Sequence, residues 1–360
     1  MKTSKKIGLG LLTLGLAATL VACGGGGKDK ATDESKASGS DGASSDKYSA
    51  ALVTDLGGVD DRSFNQSAWE GLQKWGKENG KEKGTGGFTY YQSNSDQDFT
   101  PNLNTAVNDG FNIIFGIGFK LKDAIAEVAA ANTDKHFALI DDVIEGQDNV
   151  ASVIFYDNEA SYLAGVAAAM ATESNKIGFV GGQEGEVIGR FEAGFIAGAK
   201  SVNKDIEVDV KYAGSFGDAA KGKSIAAAMY KSGIDVIFHA SGDTGNGVFA
   251  EAKDIMKADD SKKVWVIGVD RDQHDEGDYG KGNVTLTSTL KAVGTVVEDI
   301  IKQDQDGKFP GGETLVYGLK DGGVDLTEGQ LNDVNKDIQP AIDKAKEDIK
   351  AGTIEVPQKP

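Results

Sequence analysis

Short apolar runs alternate with longer amphipathic stretches along most of the chain. The run from Ala50 to Thr54 has the length of a buried strand, and a polar loop separates it from the amphipathic stretch Ser63 to Glu78. Apolar runs of this length predict strands, and apolar residues three to four positions apart predict helices. Further strands are predicted at 88–91, 113–117, 137–140, 150–155, 177–180, 206–212, 236–239 and 264–269, with helices including 121–131, 161–172, 219–231 and 332–350.

This alternation predicts an α/β protein built from βαβ units with parallel sheets. About nine strands are too many for one small sheet, so we predict two doubly wound parallel-sheet lobes. Sheets of this kind bind ligands beyond the carboxyl ends of their strands. The candidate site is therefore expected among the polar residues that follow the strands, which are Asp55, 116–120, Asp141, 181–184, Gly242 and Asp270.

The first 22 residues have the pattern of an export signal. Lys2, Lys5 and Lys6 precede an apolar run of about sixteen residues, which is shorter than the roughly 20 that a membrane-spanning helix needs. The run ends in Leu-Val-Ala-Cys at residues 20–23, which resembles a bacterial lipobox. The resemblance implies cleavage before Cys23 and attachment of acyl chains, such as palmitate, to that cysteine.

Residues 23–47 are predicted to form a flexible tether, because they contain Gly, Ser, Ala, Asp and Lys but no large apolar residue. The folded body would then begin near Tyr48 and lie on the extracytoplasmic face of the cell membrane, anchored through Cys23. This location argues against most chemistry that depends on ATP or NAD.

Composition narrows the class of protein further. The chain has 38 basic and 56 acidic residues, a net charge of -18, which argues against a nucleic-acid-binding protein. Its 49 glycines with only 5 prolines indicate many tight turns between strands and helices. The single cysteine excludes an intramolecular disulfide framework.

Motifs that would indicate an enzyme are weak. A Walker-like pattern begins at Gly217 and ends in Gly222-Lys223-Ser224, but Asp218 is a natural helix N-cap that would place Lys223 inside a helix. The acidic segments near Asp270 and Asp333 lack the glycine of a calcium loop, and the three histidines are scattered. We therefore predict a binding protein rather than an enzyme, with no metal and no cofactor.

Five segments lie in order along the body: ALVTDLGGVDDRSFNQ at 51–66, YAGSFGD at 212–218, GDTGNGVF at 242–249, VIGVDRDQ at 266–273 and TSTLK at 287–291. They resemble the basic-membrane-protein family of nucleoside-binding lipoproteins, of which purine nucleoside receptors are members. The similarity runs from about residue 48 to the end, and the lipobox at 20–23 adds to the match.

The resemblance implies a type I periplasmic-binding-protein-like fold and a role for each matched residue. Phe64 and Phe216 would stack on the two faces of a purine, and Asp55 and Asn65 would face its polar edge. Asp141, Gly242, Asp270 and Lys291 would surround the ribose. Asp243 departs from the family, in which a second glycine is expected. The implied lobes are 48–156 plus 271–309 and 157–270 plus 310–360.

The implied function is a monomeric substrate-binding lipoprotein that captures purine nucleosides and delivers them to the permease and ATPase subunits of an ABC importer. Two alternatives remain open from the sequence. The same fold binds other small solutes, such as flavins or sugars. A surface adhesin or immune-facing lipoprotein is a different class, for which no transporter would be needed.

Overall fold

The computed structural model describes residues 48–360. The predicted signal peptide 1–22, the lipidation site Cys23 and the tether 23–47 lie outside the described residues. Within the described part of the chain, no helix is both long and apolar enough to cross a membrane.

Two six-stranded sheets form the centres of two lobes. The first sheet has the order β11-β5-β4-β3-β1-β2, and the second has the order β12-β10-β9-β8-β6-β7. All neighbours are parallel except β10 and β12. The strands are β1 Ala50–Thr54, β2 Phe88–Tyr91, β3 Ile113–Ile117, β4 His136–Ile140, β5 Val150–Phe155, β6 Lys176–Gly181, β7 Glu207–Tyr212, β8 Val236–Ala240, β9 Trp265–Gly268, β10 Thr285–Lys291, β11 Thr314–Tyr317 and β12 Val324–Leu326.

Helices cover both faces of each sheet, as expected when the central strands are continuous apolar runs. All five residues of β1, β3 and β8 are buried. The helices are α1 Phe64–Glu78, α2 Phe99–Asn108, α3 Lys122–Ala131, α4 Asp157–Ala171, α5 Glu186–Val202, α6 Ala219–Lys231, α7 Thr244–Ala258, α8 Val293–Gln305, α9 Leu331–Val334 and α10 Ile338–Lys350.

The predicted two-lobed α/β fold is confirmed, but two lobe boundaries implied by the family resemblance are wrong. The resemblance implies that residues 271–309 belong to the first lobe, yet β10 pairs with β9 of the second sheet. It also implies that residues 310–360 belong to the second lobe, yet β11 pairs with β5 of the first. The chain therefore crosses between the lobes near Tyr156, Ala292 and Gly318, because the hydrogen-bonded ladders fix which sheet each strand joins.

The predicted C-terminal helix at 332–350 is divided in the structure. It comprises α9 and α10, which are separated by 335–337. Pro340 lies in the first turn of α10, where its missing N–H leaves no hydrogen bond unmade. A proline at this position therefore marks a new helix start, which the charge pattern of the segment did not indicate.

Glycines allow α4 and α5 to approach closely at the beginning of the second lobe. A Cβ atom at Gly198 would lie 1.9 Å from the carbonyl oxygen of Tyr162, and one at Gly194 would lie 2.2 Å from that of Asn158. Only glycine fits where two backbones come this near. The close packing places Arg190 of α5 beside Asp157, the first residue of α4.

Candidate functional site

A cavity lies where the carboxyl ends of the two sheets face each other. Its volume is about 500 Å³, which includes space open to solvent. All eight positions that the family resemblance implied for a ligand line this one cavity: Asp55, Phe64, Asn65, Asp141, Phe216, Gly242, Asp270 and Lys291.

Aromatic rings from both lobes line the cavity. Phe64 begins α1 in the first lobe, and Phe216 lies in the loop between β7 and α6 of the second. Phe119, which follows β3, packs edge-on against Phe216 at 6.2 Å between ring centroids. Planar rings contributed by opposite lobes provide the walls that a flat, aromatic ligand would contact.

One end of the cavity is a buried polar corner built on the loop after β1. The Asn65 side-chain amide donates to Asp55 Oδ1 at 2.8 Å and to Asp61 Oδ2 at 3.0 Å. These bonds use both amide protons and leave Asn65 Oδ1 buried without a partner. Burial raises the pKa of Asp55 to about 6, while its bond from Asn65 opposes the shift. This corner therefore offers acceptor oxygens to a ligand.

A buried ammonium group also lines the cavity. The Lys291 Nζ atom is 2.7 Å from Asp141 Oδ2 and 3.0 Å from Asp157 Oδ1. It also lies 5.0 Å from the centroid of the Phe64 ring. Burial lowers the pKa of Lys291, but the neighbouring carboxylates outweigh burial and raise it above its ordinary value. Lys291 therefore remains charged and is a hydrogen-bond donor to the cavity.

Asp270 provides an acceptor from the second lobe and contacts the first. Its Oδ2 accepts a hydrogen bond from the hydroxyl of Ser63, which immediately precedes α1. Burial raises the pKa of Asp270 to about 7, although Lys291 and Ser63 oppose the shift. Asp141 and Asp270, each just beyond a strand, have φ angles of 78° and 66°. Aspartate tolerates this left-handed conformation better than most residues, because its side chain bonds locally.

The loop after β8 completes the wall. Gly242 has a φ of 57°, and a Cβ atom there would lie 3.1 Å from the carbonyl oxygen of Phe216. The hydroxyl oxygen of the neighbouring Ser241 lies 3.3 Å from His239 Nδ1, and His239 Nε2 lies 3.1 Å from Gln273 Oε1. Burial lowers the pKa of His239 to about 4, so this histidine stays neutral near pH 7.

Several contacts join the two lobes across the cleft. The Arg271 guanidinium of the second lobe binds both carboxylate oxygens of Glu70 on α1, at 2.8 and 3.0 Å. Arg62 of the first lobe pairs with Glu276 of the second. The Gln273 amide donates to the Arg62 carbonyl oxygen at 2.9 Å. These contacts hold the described structure in a closed arrangement of the lobes.

Sequence reasoning missed some lining residues. Asp61 belongs to the first matching segment, but the resemblance implies no role for it; in the structure it accepts hydrogen bonds from the backbone N–H groups of Ser63, Asn65 and Gln66. Phe191 lies inside the long helix α5, where a phenylalanine looks like ordinary core. The position of Asp61 just before a predicted helix could have indicated a role in organising this loop. The sequence around Phe191 contains no such indication.

The Walker-like pattern lies in an ordinary helix. The Asp218 side chain caps α6 by accepting from the backbone N–H of Lys221 at 2.9 Å. Lys223 is partly exposed and pairs with Asp254 of α7 at 2.5 Å. The predicted capped helix is therefore confirmed, and Lys223 points to a neighbouring helix instead of a phosphate-binding loop.

Known proteins resemble this chain over most of its length. A "CD4+ T-cell-stimulating antigen" of Listeria monocytogenes is 54% identical, with 95% of each chain covered. The "ABC transporter nucleoside-binding protein BmpA" of Lactococcus lactis is 56% identical, covering 90% of this chain and 93% of the relative. A solved solute-binding protein of an ABC transporter system from Aeropyrum pernix has a TM-score of 0.76 at 26% identity, covering 86% of this chain and 94% of the other.

Residues 48–360 also match a family whose description reads "ABC transporter substrate-binding protein PnrA-like". The match spans the whole described body, including both sheets and every residue that lines the cavity. The chain therefore belongs to the Bmp family of PnrA-like substrate-binding proteins of ABC transporters.

Proposed function

We propose that this protein captures purine nucleosides outside the cytoplasmic membrane and delivers them to the permease of an ABC importer, without catalysing a reaction. The observation that carries the proposal is the combination of Phe64 and Phe216, from opposite lobes, with carboxylates and an ammonium group in one cavity. The Lactococcus relative that shares 56% identity is named for nucleoside binding, which supports the same ligand class.

In the proposed complex, the purine base lies between Phe64 and Phe216. Base–aromatic stacking contributes about 1–3 kcal/mol per base in single-strand-binding proteins. The base edge that carries N–H donors meets Asp55 and the unpartnered Asn65 Oδ1. Guanine and hypoxanthine offer a ring N–H, and adenine offers its exocyclic amino group, so this corner suits purines in general.

The ribose lies against the carboxylates and the ammonium group. Vicinal hydroxyls donate to Asp270, while Lys291 and the backbone at Gly242 donate to ribose oxygens. Asp141 acts at this end through its contact with Lys291. Since the two lobes each supply part of the site, ligand binding is coupled to closure about the three connections between the lobes.

The proposed function predicts that a purine nucleoside stabilises the folded protein. A ligand at about 100 times its Kd adds about 2.7 kcal/mol to the free energy of unfolding, because it binds only the folded state. The measurement is the melting temperature of the full chain in detergent with inosine, guanosine, adenosine, ribose, riboflavin and ATP in turn.

The Lys223→Ala variant is the matched control for this experiment. Lys223 lies outside the cavity, so the variant should respond to nucleosides as the wild type does. Stabilisation by ribose or riboflavin but by no nucleoside would contradict the proposed ligand class. ATP hydrolysis that disappears in Lys223→Ala would contradict the proposal that the protein is not an enzyme.

We further propose that acyl chains on Cys23 anchor a monomeric protein to the outer face of the cell membrane. Two acyl chains bind a membrane durably, whereas one binds reversibly. Cys23→Ser should therefore move the protein from the membrane fraction to the soluble fraction after cell breakage and a high-salt wash. Cys23→Ser protein that stays with the membranes after this wash would contradict lipid anchoring.

A further inference from the structure

The Lys291 ammonium group forms an ion pair with Asp157, a residue that does not line the cavity. Asp157 is the first residue of α4, and its side chain is fully buried. Its Oδ1 lies 3.0 Å from Lys291 Nζ, while its Oδ2 accepts from Arg190 Nε at 3.1 Å and Nη2 at 2.9 Å. Each carboxylate oxygen of Asp157 therefore contacts a different cationic side chain.

The geometry leaves Lys291 little freedom. An ammonium group has three N–H donors. Asp141 Oδ2 accepts one of them at 2.7 Å, Asp157 Oδ1 lies 3.0 Å from Nζ in an ion pair without a hydrogen bond, and the centroids of the Phe64 and Phe155 rings lie 5.0 Å from Nζ. At least one N–H therefore remains for an acceptor in the cavity.

Asp157 and Lys291 also lie beside two of the connections between the lobes. Asp157 follows the connection that leaves β5, and Lys291 is the last residue of β10 before the chain returns to the first lobe. The neighbouring backbone is tied to the third connection, since Tyr156 N–H donates to Tyr317 O at 2.8 Å and Ala292 N–H donates to Gly323 O at 2.9 Å. A group held at these points moves little when the outer parts of the lobes separate.

We propose that Asp157, fixed by Arg190, is a positioning residue that orients the Lys291 ammonium group toward the ligand. This inference rests on the proposed function for its ligand, but the contact between the two side chains does not depend on it. Asp157 acts through Lys291 alone, and the ion pair between them keeps an N–H of the ammonium group directed at the ribose site before a nucleoside arrives.

A double-mutant cycle tests whether Asp157 acts through Lys291. The proteins are the wild type, Asp157→Asn, Lys291→Met and the double variant, each as the full chain in detergent, with inosine affinity measured by calorimetry. Without Asp157 the Lys291 ammonium group should lose its orientation and with it its hydrogen bond to inosine. Loss of a hydrogen bond to a charged group weakens affinity roughly 10- to 100-fold, so Asp157→Asn should have an effect of this size. In the Lys291→Met background, Asp157→Asn should change affinity by less than about twofold, since no oriented ammonium group remains.

An equal loss in both backgrounds would overturn the proposal, because Asp157 would then act on the fold. Asp304→Asn is a matched control, since the Asp304 side chain is mostly buried and lies 2.7 Å from the imidazole nitrogen Nδ1 of His136, away from the cavity. Its affinity for inosine should stay within about twofold of the wild type. If Asp157→Asn does not fold, Asp157→Glu takes its place in the same cycle, with the same two outcomes.

A second readout needs no ligand. In the free wild type, the hydrogen-bonded Lys291 ammonium group should give a slowly exchanging 1H–15N signal that is missing in Lys291→Met. The signal should broaden or disappear in Asp157→Asn and persist in Asp304→Asn; an unchanged signal in Asp157→Asn would overturn the proposal. If inosine does not bind the wild type, the proposed function fails, while this readout still decides the role of Asp157.

Discussion

Asp270→Ala should lower affinity for purine nucleosides roughly 10- to 100-fold while leaving affinity for the free bases nearly unchanged, because the ribose hydroxyls lose a charged acceptor. The measurement is calorimetry with inosine, guanosine, adenosine and the corresponding bases. The exposed Asp272, two residues along the chain, provides the control variant Asp272→Ala, which should bind like the wild type. Equal losses for nucleoside and base would assign Asp270 to closure of the lobes through Ser63 instead of to the ribose.

The same residue predicts a dependence of binding on pH. The pKa of Asp270 in the free protein is raised to about 7, and ribose hydroxyls favour its ionised form. Nucleoside affinity should therefore fall as the pH falls from 8 to 5.5, with proton release on binding near pH 6.5. Because the raised pKa means that the folded state holds this proton more tightly than the unfolded chain, the free protein should lose stability as the pH rises from about 4 to about 7.

Asp270→Asn should remove most of this pH dependence, since the amide does not titrate. The charged and titratable groups near Asp270 are Lys291, Asp61 and Asp141. Burial also raises the pKa of Asp55, to about 6, so Asp55→Asn should remove a separate, more acidic part of the dependence. Calorimetry in two buffers of different ionisation enthalpy measures the protons released. An undiminished pH dependence in Asp270→Asn would show that another group titrates.

Phe64→Ala should weaken the binding of every purine nucleoside by about 1–3 kcal/mol, or roughly 5- to 150-fold, because one stacking face is lost. Phe216→Ala should have an effect of similar size from the opposite lobe. Phe64→Tyr is the conservative comparison, since it keeps an aromatic face and should keep most of the affinity.

Ribose provides the control ligand for the stacking prediction, because it has no base to stack. Its weak binding should change little in Phe64→Ala. Wild-type affinity for all nucleosides in Phe64→Ala would contradict the base sandwich and favour a ligand without an aromatic group. A loss for ribose as large as that for nucleosides would show that Phe64 acts by supporting Lys291, whose ammonium group lies 5.0 Å from its ring.

Most strands could be predicted from the sequence, because buried parallel strands are short apolar runs with clear ends. The predicted strands at 50–54, 88–91, 113–117 and 150–155 have the bounds that the structure shows. The lobe boundaries could not be predicted in this way. Nothing in the composition of β10 or β11 states which sheet it joins, since that depends on hydrogen bonds to strands far away in sequence.

The sequence by itself determined the α/β class, the two lobes, the strand-end position of the site and, through the family resemblance, eight residues that line one cavity. Tertiary structure alone decided how those residues are held. Asp157 and Arg190 lie on helices that meet because glycines permit close packing, and the contact of Asp157 with Lys291 joins residues more than 100 positions apart. Such contacts leave no local pattern in the chain, because burial and charge pairing are properties of the folded neighbourhood and not of any one segment.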